Sequence, residues 1–225
     1  MDLSELEKRI DYEFHDKQLL TQALMHSSYA NEKTGDATNG NERLEFLGDA
    51  VLETVISSYL FEKYQEKTEG ELTKMRAALV CEMSLGRAAK KIGIGDFLLL
   101  GKGEESGGGR VHVPILADTV EAVIGASYLD GSFQAASRVV YSFLKEEIEN
   151  AANGNFIKDS KSLLQEKLQR GGSCKITYRI IGEEGPDHAK RFSAEVYADG
   201  KLLGRGSGKS KKEAESAAAE DALSK

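Results

Sequence analysis

Three carboxylates recur at helical spacing in the stretch Asn41-Glu-Arg-Leu-Glu-Phe-Leu-Gly-Asp49. On a helix that turns about 100° per residue, Glu42, Glu45 and Asp49 fall within an arc of roughly 60°. Carboxylates on one stripe raise each other's pKa unless a cation lies among them, and their oxygens suit a hard cation such as Mg²⁺. A solvated acidic face explains the same spacing. The stripe alone therefore leaves both explanations open.

The aromatic side chain of Phe46 favours a functional surface. On the same helix it lies about 40° from Glu42, on the acidic side. The apolar positions that would face a core lie on the opposite side; they are Leu44, Leu47, Val51 and Val55. An aromatic ring that points away from the core, beside acids, indicates a surface that meets another molecule.

A second segment, Ile115 to Ala126, carries a matching acidic stripe. Asp118 and Glu121 lie one turn apart, and the small residues Ala122 and Gly125 near them allow another helix to approach closely. Two such helices could cross and pool four carboxylates. These are Glu45, Asp49, Asp118 and Glu121. Because four carboxylates at one point are costly without metal, the paired helices predict a metal site more strongly than either helix alone.

These two segments resemble the ribonuclease III family. The stretch from Asn41 to Asp49 is similar to the family signature, and Ala117-Asp-Thr-Val-Glu121-Ala is similar to its second catalytic segment. The resemblance extends over essentially the whole chain and fits the bacterial form. It implies a multidomain protein in which an all-α endonuclease and dimerisation domain, residues 1–150, precedes an α+β double-stranded RNA-binding domain, residues 157–225.

The resemblance also implies the chemistry. The expected activity is hydrolysis of phosphodiester bonds in double-stranded RNA, which leaves 5′-phosphate and 3′-hydroxyl ends with short 3′ overhangs. Expected substrates are ribosomal-RNA precursors and structured mRNA and tRNA transcripts. The expected cofactor is Mg²⁺, with Mn²⁺ able to substitute. The family's metal ligands match Glu45, Asp49, Asp118 and Glu121, of which Asp49 and Glu121 are the expected catalytic pair.

Further positions follow from the family's two-fold homodimer. Glu42 matches an additional acid that lines the catalytic valley, and Glu69 matches one that is reached across the dimer. Phe46 matches the interface aromatic, which explains its position beside the acids.

Charge is distributed unevenly along the 225 residues, although the whole chain is acidic at −7. Residues 1–155 hold 16 basic and 26 acidic side chains, net −10, whereas residues 156–225 hold 14 and 11, net +3. This asymmetry fits a metal-dependent site joined to an electrostatic docking module. The separated Cys81 and Cys174 indicate a reducing compartment. Without a secretory signal or an apolar run of membrane-spanning length, we expect a soluble, cytoplasmic protein with no membrane partner.

The first half is predicted to be helical throughout. His26, within the second of its helices, is interpreted as a hydrogen-bonded structural residue, since a lone histidine on a mainly apolar helix usually is one. Residues 31–41 are predicted to be a loop, and residues 101–110, rich in glycine, a mobile connector. The predicted helices are Leu3–Ile10, Lys17–Tyr29, a signature helix to Tyr64, Glu71–Lys91, the second acidic helix and Phe133–Asn150.

The second half changes period after a short polar linker, predicted at residues 151–156 to be flexible. A helix capped by Asp159, then strands at residues 176–180, 192–198 and 201–207 and a last helix from Lys209 to Leu223, give the order α-β-β-β-α. This order is similar to the double-stranded RNA-binding domain. The residues expected to contact RNA are Gln165, Glu166, Gln169 and His188, with Lys209, Lys211 and Lys212 at a helix N-terminus, where phosphate is favoured.

Two functions other than a nuclease account for part of the sequence. A double-stranded RNA-binding regulator could use the nuclease fold only as a dimer scaffold, but every matched acid is present. An acidic, metal-buffering helical protein would not explain the C-terminal module. Cleavage in the presence of Mg²⁺ separates the first alternative from the enzyme.

Overall fold

The computed structural model describes residues 3–152, 160–169, 174–185 and 190–225. The chain forms two compact units, residues 1–156 and 157–225. Each unit has its own hydrophobic core. The prediction of an all-helical half followed by an α+β half is confirmed.

The first unit consists of helices and short 3-10 turns. Its helices are α1 (Leu3–Arg9), α2 (Lys17–Ala23), α3 (Ser27–Thr34), α4 (Glu42–Lys63), α5 (Glu69–Val80), α6 (Glu82–Ile92), α7 (Lys102–Ser106), α8 (Val113–Asp130) and α9 (Phe133–Ala152). The 3-10 turns cover Ala37–Asn39, Ile94–Phe97 and Gly109–Val111.

Helix α8 lies at the centre of this unit. It packs against α2, α4, α6 and α9, and most of its residues are buried, among them Val120, Val123 and Ile124. A helix surrounded on most sides must be apolar on most sides. Asp118 and Glu121 are therefore unusual, because they are acidic residues on a helix that is otherwise mostly apolar and buried.

The prediction of one helix over Lys17–Tyr29 is wrong, because the chain leaves the helical path between α2 and α3. Leu99 N–H donates to Leu24 O at 2.9 Å, and His26 N–H donates to Leu99 O at 3.1 Å. Met25 and Leu99 thus form a short parallel β-bridge. Helix α3 continues to Thr34, so the predicted loop over residues 31–41 is shorter than expected. Hydrogen bonds to a distant segment have replaced helical ones here.

The prediction of a continuous helix over Glu71–Lys91 is also wrong. Cys81 has extended backbone angles, φ −70° and ψ 151°, and separates α5 from α6. At the start of α5, Thr68 and Glu71 form a capping box, which explains why this helix begins at Glu69.

The glycine-rich segment 101–110 is more structured than a connector. It contains α7, and the Arg110 guanidinium donates to Gly95 O at 2.9 Å and to Leu98 O at 3.1 Å. Arg110 also pairs with Glu105 at 2.6 Å. These bonds tie the segment to the rest of the helical unit.

The second unit contains α10 (Ser160–Gln169), β1 (Ile176–Glu184), β2 (Arg191–Ala198), β3 (Lys201–Gly208) and α11 (Lys211–Leu223). The strands form an antiparallel sheet in the order β1-β2-β3, with Tyr178 opposite Val196 and Val196 opposite Gly204. A Cβ on Gly204 would lie 2.3 Å from Ala218 O, so glycine in β3 lets α11 lie directly on the sheet. The predicted α-β-β-β-α order is confirmed.

Several boundaries differ from the prediction, most of all the end of β1, which continues to Glu184, four residues beyond its predicted end. Helix α9 continues to Ala152, two residues beyond its predicted end, and the remainder of the predicted linker lies outside the described residues, as does Asp159. Helix α11 begins at Lys211, since Ser210 caps it by accepting the Glu213 N–H at 3.2 Å. In the part of the chain that the structure describes, no helix combines the length and apolarity needed to cross a membrane.

Candidate active site

The site is formed where α4 and α8 cross with their backbones in contact. A Cβ on Gly48 would lie 1.7 Å from Glu121 O, and one on Gly125 would lie 2.2 Å from Leu44 O. Any side chain at either glycine would separate the helices. The expectation that Gly125 permits a close approach is confirmed, and Gly48 is a second such position.

This crossing brings three predicted acids together. Glu45 of α4 and Asp118 and Glu121 of α8 each offer a carboxylate oxygen, and these oxygens lie within 4.8 Å of one another. All three residues are partly buried. Asp49 is exposed, one turn beyond Glu45, and its charge acts on Glu121 more strongly than the charges of the other two acids do. The acidic stripes of the two helices therefore face a common point.

The electrostatics of the cluster call for a cation. Burial, followed by the charges of Asp49, Asp118 and Glu45, raises the pKa of Glu121 to about 8. Burial and its acidic neighbours also raise the pKa of Glu45. These carboxylates would all ionise at neutral pH only if positive charge were added among them.

A divalent ion fits the donor set. Carboxylate oxygens are the ligands that Mg²⁺ and Mn²⁺ prefer, and Mg²⁺ usually keeps several waters beside one or two carboxylates. Three oxygens from Glu45, Asp118 and Glu121 within 4.8 Å are close enough to share one ion. The partial exposure of these residues leaves room for water or a phosphate oxygen.

The two additional acids predicted from the family resemblance, Glu42 and Glu69, lie in different places. Glu42, the first residue of α4, is exposed, and its charge contributes to the raised pKa of Glu45. Glu69 begins α5 and accepts a hydrogen bond from Thr73 Oγ1 at 2.9 Å. It is absent from the acid cluster of the described residues in a single chain. Phe46 is 82% exposed, so one chain alone leaves its ring in solvent.

The sequence pattern predicts no functional role for three residues that lie near the site. Asn41 Nδ2 donates to Ala23 O at 3.2 Å and so fixes the start of α4 against the end of α2. Glu82 contributes to the raised pKa of Asp118, after burial, whereas His26 lowers it. Glu82 gave no sequence signal, because the break at Cys81 that places it at the start of α6 was not visible. His26 was predicted to be structural, and it does cap α3.

The predicted RNA-contacting residues lie on the second unit. Lys209, Lys211 and Lys212 are exposed around the N-terminus of α11, and the Lys211 Nζ lies 5.9 Å from the centre of the Phe192 ring. Gln165 and Gln169 are exposed on α10, which also carries Glu166. The side chain of Glu166 and all of His188 lie outside the described residues.

Comparison with protein families matches both units. Residues 16–148 match the family described as Ribonuclease-III-like, and residues 160–225 match the double-stranded RNA binding motif. The first match covers the acid cluster, and the second covers the α-β-β-β-α unit.

Individual relatives agree over nearly the full length. A protein named Ribonuclease 3 from Caldanaerobacter subterraneus subsp. tengcongensis is 51% identical over 223 residues, which cover 99% of this chain and 97% of that protein. A Ribonuclease 3 from Enterococcus faecalis is 50% identical, with coverage of 98% and 95%. Among solved structures, a ribonuclease III nuclease domain from Campylobacter jejuni matches with a TM-score of 0.60 and 43% identity, over 64% of this chain and 97% of that chain. That structure concerns flexibility in a region involved in dimer formation.

Proposed function

The chain belongs to the ribonuclease III family, and on this basis we propose that it is a divalent-metal-dependent endoribonuclease that hydrolyses phosphodiester bonds in double-stranded RNA. The observation that carries the proposal is the convergence of Glu45, Asp118 and Glu121 at the crossing of α4 and α8. A metal-dependent nuclease needs carboxylates held this close together, whereas an inactive dimer scaffold does not.

The acids have separate roles in this proposal. Glu45, Asp118 and Glu121 hold Mg²⁺, and Asp49 contributes directly or through water. When bound, the ion supplies an activated water and balances charge on the scissile phosphate. The carboxylates determine when RNA can enter, because without a cation their charge repels the phosphodiester. Glu42 adds to this negative potential at the edge of the site.

A homodimer completes the proposed machinery. The exposed Phe46 ring would be covered by a second copy, and Glu69, which lies apart from the acids of its own chain, would be available to the partner's site. Because a duplex backbone is nearly two-fold, an isologous dimer would present one site to each strand. The products would carry 5′-phosphate and 3′-hydroxyl ends with short 3′ overhangs.

The biological substrates that we propose are those implied by the family resemblance. They are ribosomal-RNA precursors and structured mRNA and tRNA transcripts in the cytoplasm. The free, partly buried thiols of Cys81 and Cys174 support a reducing compartment.

Cleavage of a long RNA duplex tests the enzymatic proposal. The purified chain is incubated with Mg²⁺, with Mn²⁺ or with EDTA, beside the Glu121→Gln variant. Short products from the parent with either metal, and a gel shift without cleavage from the variant, are expected. Glu13→Gln is a control that removes an exposed acid elsewhere. RNA binding without cleavage by the parent under both metals would leave a binding protein and refute the enzyme.

Sedimentation equilibrium tests the dimer. The chain has a mass of 24.5 kDa, so we expect a parent species of twice this mass. Phe46→Ser should shift the equilibrium towards the monomer, whereas Val111→Ser, at a position that is 66% exposed, should not. A monomeric parent would contradict the proposal.

A further inference from the structure

His26 lies between α2 and α3, beside the first turn of α4. A Cβ on Gly40 would lie 3.0 Å from Ser27 Cα, and Asn41 Nδ2 donates to Ala23 O, so residues 23–27 are packed against the start of α4. That turn carries Glu42 and Glu45. The imidazole is therefore held at the edge of the acid cluster, near enough for a positive charge on it to lower the pKa of Asp118.

The hydrogen bonds of His26 determine which ring nitrogen carries the proton. Nδ1 caps α3 by accepting the Ser28 N–H at 3.3 Å, and it also lies 2.8 Å from Ser28 Oγ. That hydroxyl oxygen accepts the Gly101 N–H at 2.9 Å and keeps its own proton for a second hydrogen bond. Because the Ser28 N–H can be accepted only by an Nδ1 that carries no proton, the proton of a neutral ring is on Nε2.

The Nε2–H group has no acceptor within the described parts of the chain, which give His26 contacts only through Nδ1 and its backbone. The ring is only partly buried, so Nε2 is open to a molecule that enters the site. A hydrogen-bond donor that is open to solvent beside the acids is available to a phosphate oxygen that enters the site.

We propose that His26 binds the RNA by donating a hydrogen bond from Nε2 to a phosphate oxygen of the strand that is cut. The inference rests on the proposed function, which brings the scissile phosphate to the acids beside this ring. No proton is transferred in this role. Ser28 is a positioning residue, because its N–H group makes Nδ1 an acceptor and so leaves Nε2 as the donor.

Two substitutions separate this role from helix capping. His26→Asn places an amide oxygen where Nδ1 accepts, and asparagine is among the best N-caps, but it offers no donor at the position of Nε2. His26→Gln reaches further and restores an N–H group near Nε2, while it loses the short acceptor that caps α3. Capping and RNA binding thus predict opposite orders for the two variants.

Single-turnover cleavage with Mg²⁺, together with thermal melting, gives the first readout. We expect His26→Asn to melt within about 2 °C of the parent and to cleave about ten- to a hundredfold more slowly, as for a lost hydrogen bond to a charged group. His26→Gln should melt lower but cleave faster than His26→Asn. Serine also caps a helix N-terminus but is too short to place a donor at the position of Nε2. His26→Ser therefore replaces His26→Asn if that variant does not fold. Parental rates in the capping variants, or the slowest rate in His26→Gln, would overturn the proposal.

Mn²⁺ affinity of the RNA-free protein gives a second readout. If His26 contacts RNA, the affinity of the folded His26→Asn variant for Mn²⁺ should stay within about twofold of the parent's, which is close to unchanged in free energy. A tenfold loss would mean that His26 acts on Asp118, and would refute an RNA contact. The cleavage rate of the parent protein distinguishes failure of the proposed nuclease activity from failure of the proposed His26 contact. If the parent does not cleave, the proposed function fails, whereas equal cleavage by parent and His26→Asn refutes only the role of His26.

Discussion

At the scale of single residues, Glu121 links the stability of the protein to metal. Its pKa is about 8 in the folded chain against an ordinary value of 4.5, so between these pH values the folded state holds a proton that the unfolded chain has released. The unfolding free energy of the metal-free protein should therefore fall as pH rises from about 4.5 to about 8. Glu121→Gln should make this dependence much weaker, with Glu45 and Asp118 accounting for what is left, and should melt above the parent at pH 8.5 in EDTA.

Added Mg²⁺ should reverse the order of these two melting temperatures. It supplies the missing positive charge to the parent, whereas the variant has lost one of the ligands. Differential scanning calorimetry with EDTA and with Mg²⁺, at pH 5 and pH 8.5, measures both effects, and Glu13→Gln should follow the parent throughout. A parent whose metal-free stability is equal at the two pH values, after correction by this control, would contradict the interpretation of Glu121.

Asp130, the last residue of α8, has a lowered pKa, in contrast to Glu121. Burial alone would raise its pKa, but hydrogen bonds from the backbone N–H groups of Asp16 and His15 and from the hydroxyl of Tyr12 lower it to about 2. The stabilisation is therefore complete above a pH of about 3.8 and is lost as pH falls through about 2. Asp130→Asn should cost about 2 kcal/mol at pH 7.

Urea denaturation of Asp130→Asn and Tyr12→Phe measures this stabilisation. Tyr12→Phe removes one of the bonds and should cost less, about 1 kcal/mol. The difference between the parent and Asp130→Asn should shrink towards pH 2. If the difference in unfolding free energy between the parent and Asp130→Asn stayed constant over the whole acid range, the charge of the Asp130 carboxylate would not be what stabilises its contacts with residues 12–16.

At the scale of elements, the close crossing of α4 and α8 positions the acids, and Gly48 is its most constrained point. Gly48→Ala would insert a Cβ 1.7 Å from Glu121 O and force the helices apart. We expect a loss of roughly 2–4 kcal/mol in unfolding free energy. The weaker convergence of Glu45 with Asp118 and Glu121 should also reduce Mn²⁺ affinity.

Gly70→Ala is the matched control, because a Cβ at this helical glycine meets nothing within 4 Å. It should be neutral or stabilise by up to about 1 kcal/mol, since alanine favours a helix. Chemical denaturation and Mn²⁺ titration of both variants separate the crossing from general helix propensity. Equal stabilities and Mn²⁺ affinities for the two variants would refute the close crossing as the device that positions the acids.

The two acidic helices could be predicted because their signals are local. A 3.6-residue apolar period and carboxylates one turn apart place Glu45 and Glu121 on helix faces without further information. The break between α2 and α3 could not be predicted, since its cause is Leu99, more than seventy residues away, and no glycine or proline marks it. Glu82 could not be predicted either, because nothing in the sequence marks the extended Cys81 that places it at the start of α6. The contact of Ser28 Oγ with the Gly101 N–H, beside His26, again joins residues that are far apart in the sequence.

At the scale of the whole molecule, an acidic nuclease unit must act on a polyanion. Its net charge of −10 opposes RNA, whereas residues 156–225 carry +3. The chain concentrates exposed cations at the start of α11, where backbone N–H groups also favour phosphate. RNA affinity should therefore depend on this short segment more than on net charge.

Replacing Lys209, Lys211 and Lys212 by Gln tests this dependence in the full chain. Each lost phosphate contact should reduce the salt dependence of binding, so the slope of log K against log salt should become shallower by up to about 3. KM for cleavage should rise, while kcat at saturating RNA should stay near the parent's, because the acids of α4 and α8 are untouched. Replacing Lys8, Lys90 and Lys145, which are exposed on the first unit, by Gln makes the same change in net charge. If both triple variants lose RNA affinity equally, net charge and not the N-terminus of α11 governs RNA binding. If only the α11 variant loses affinity, the second unit binds the RNA and the first unit cleaves it.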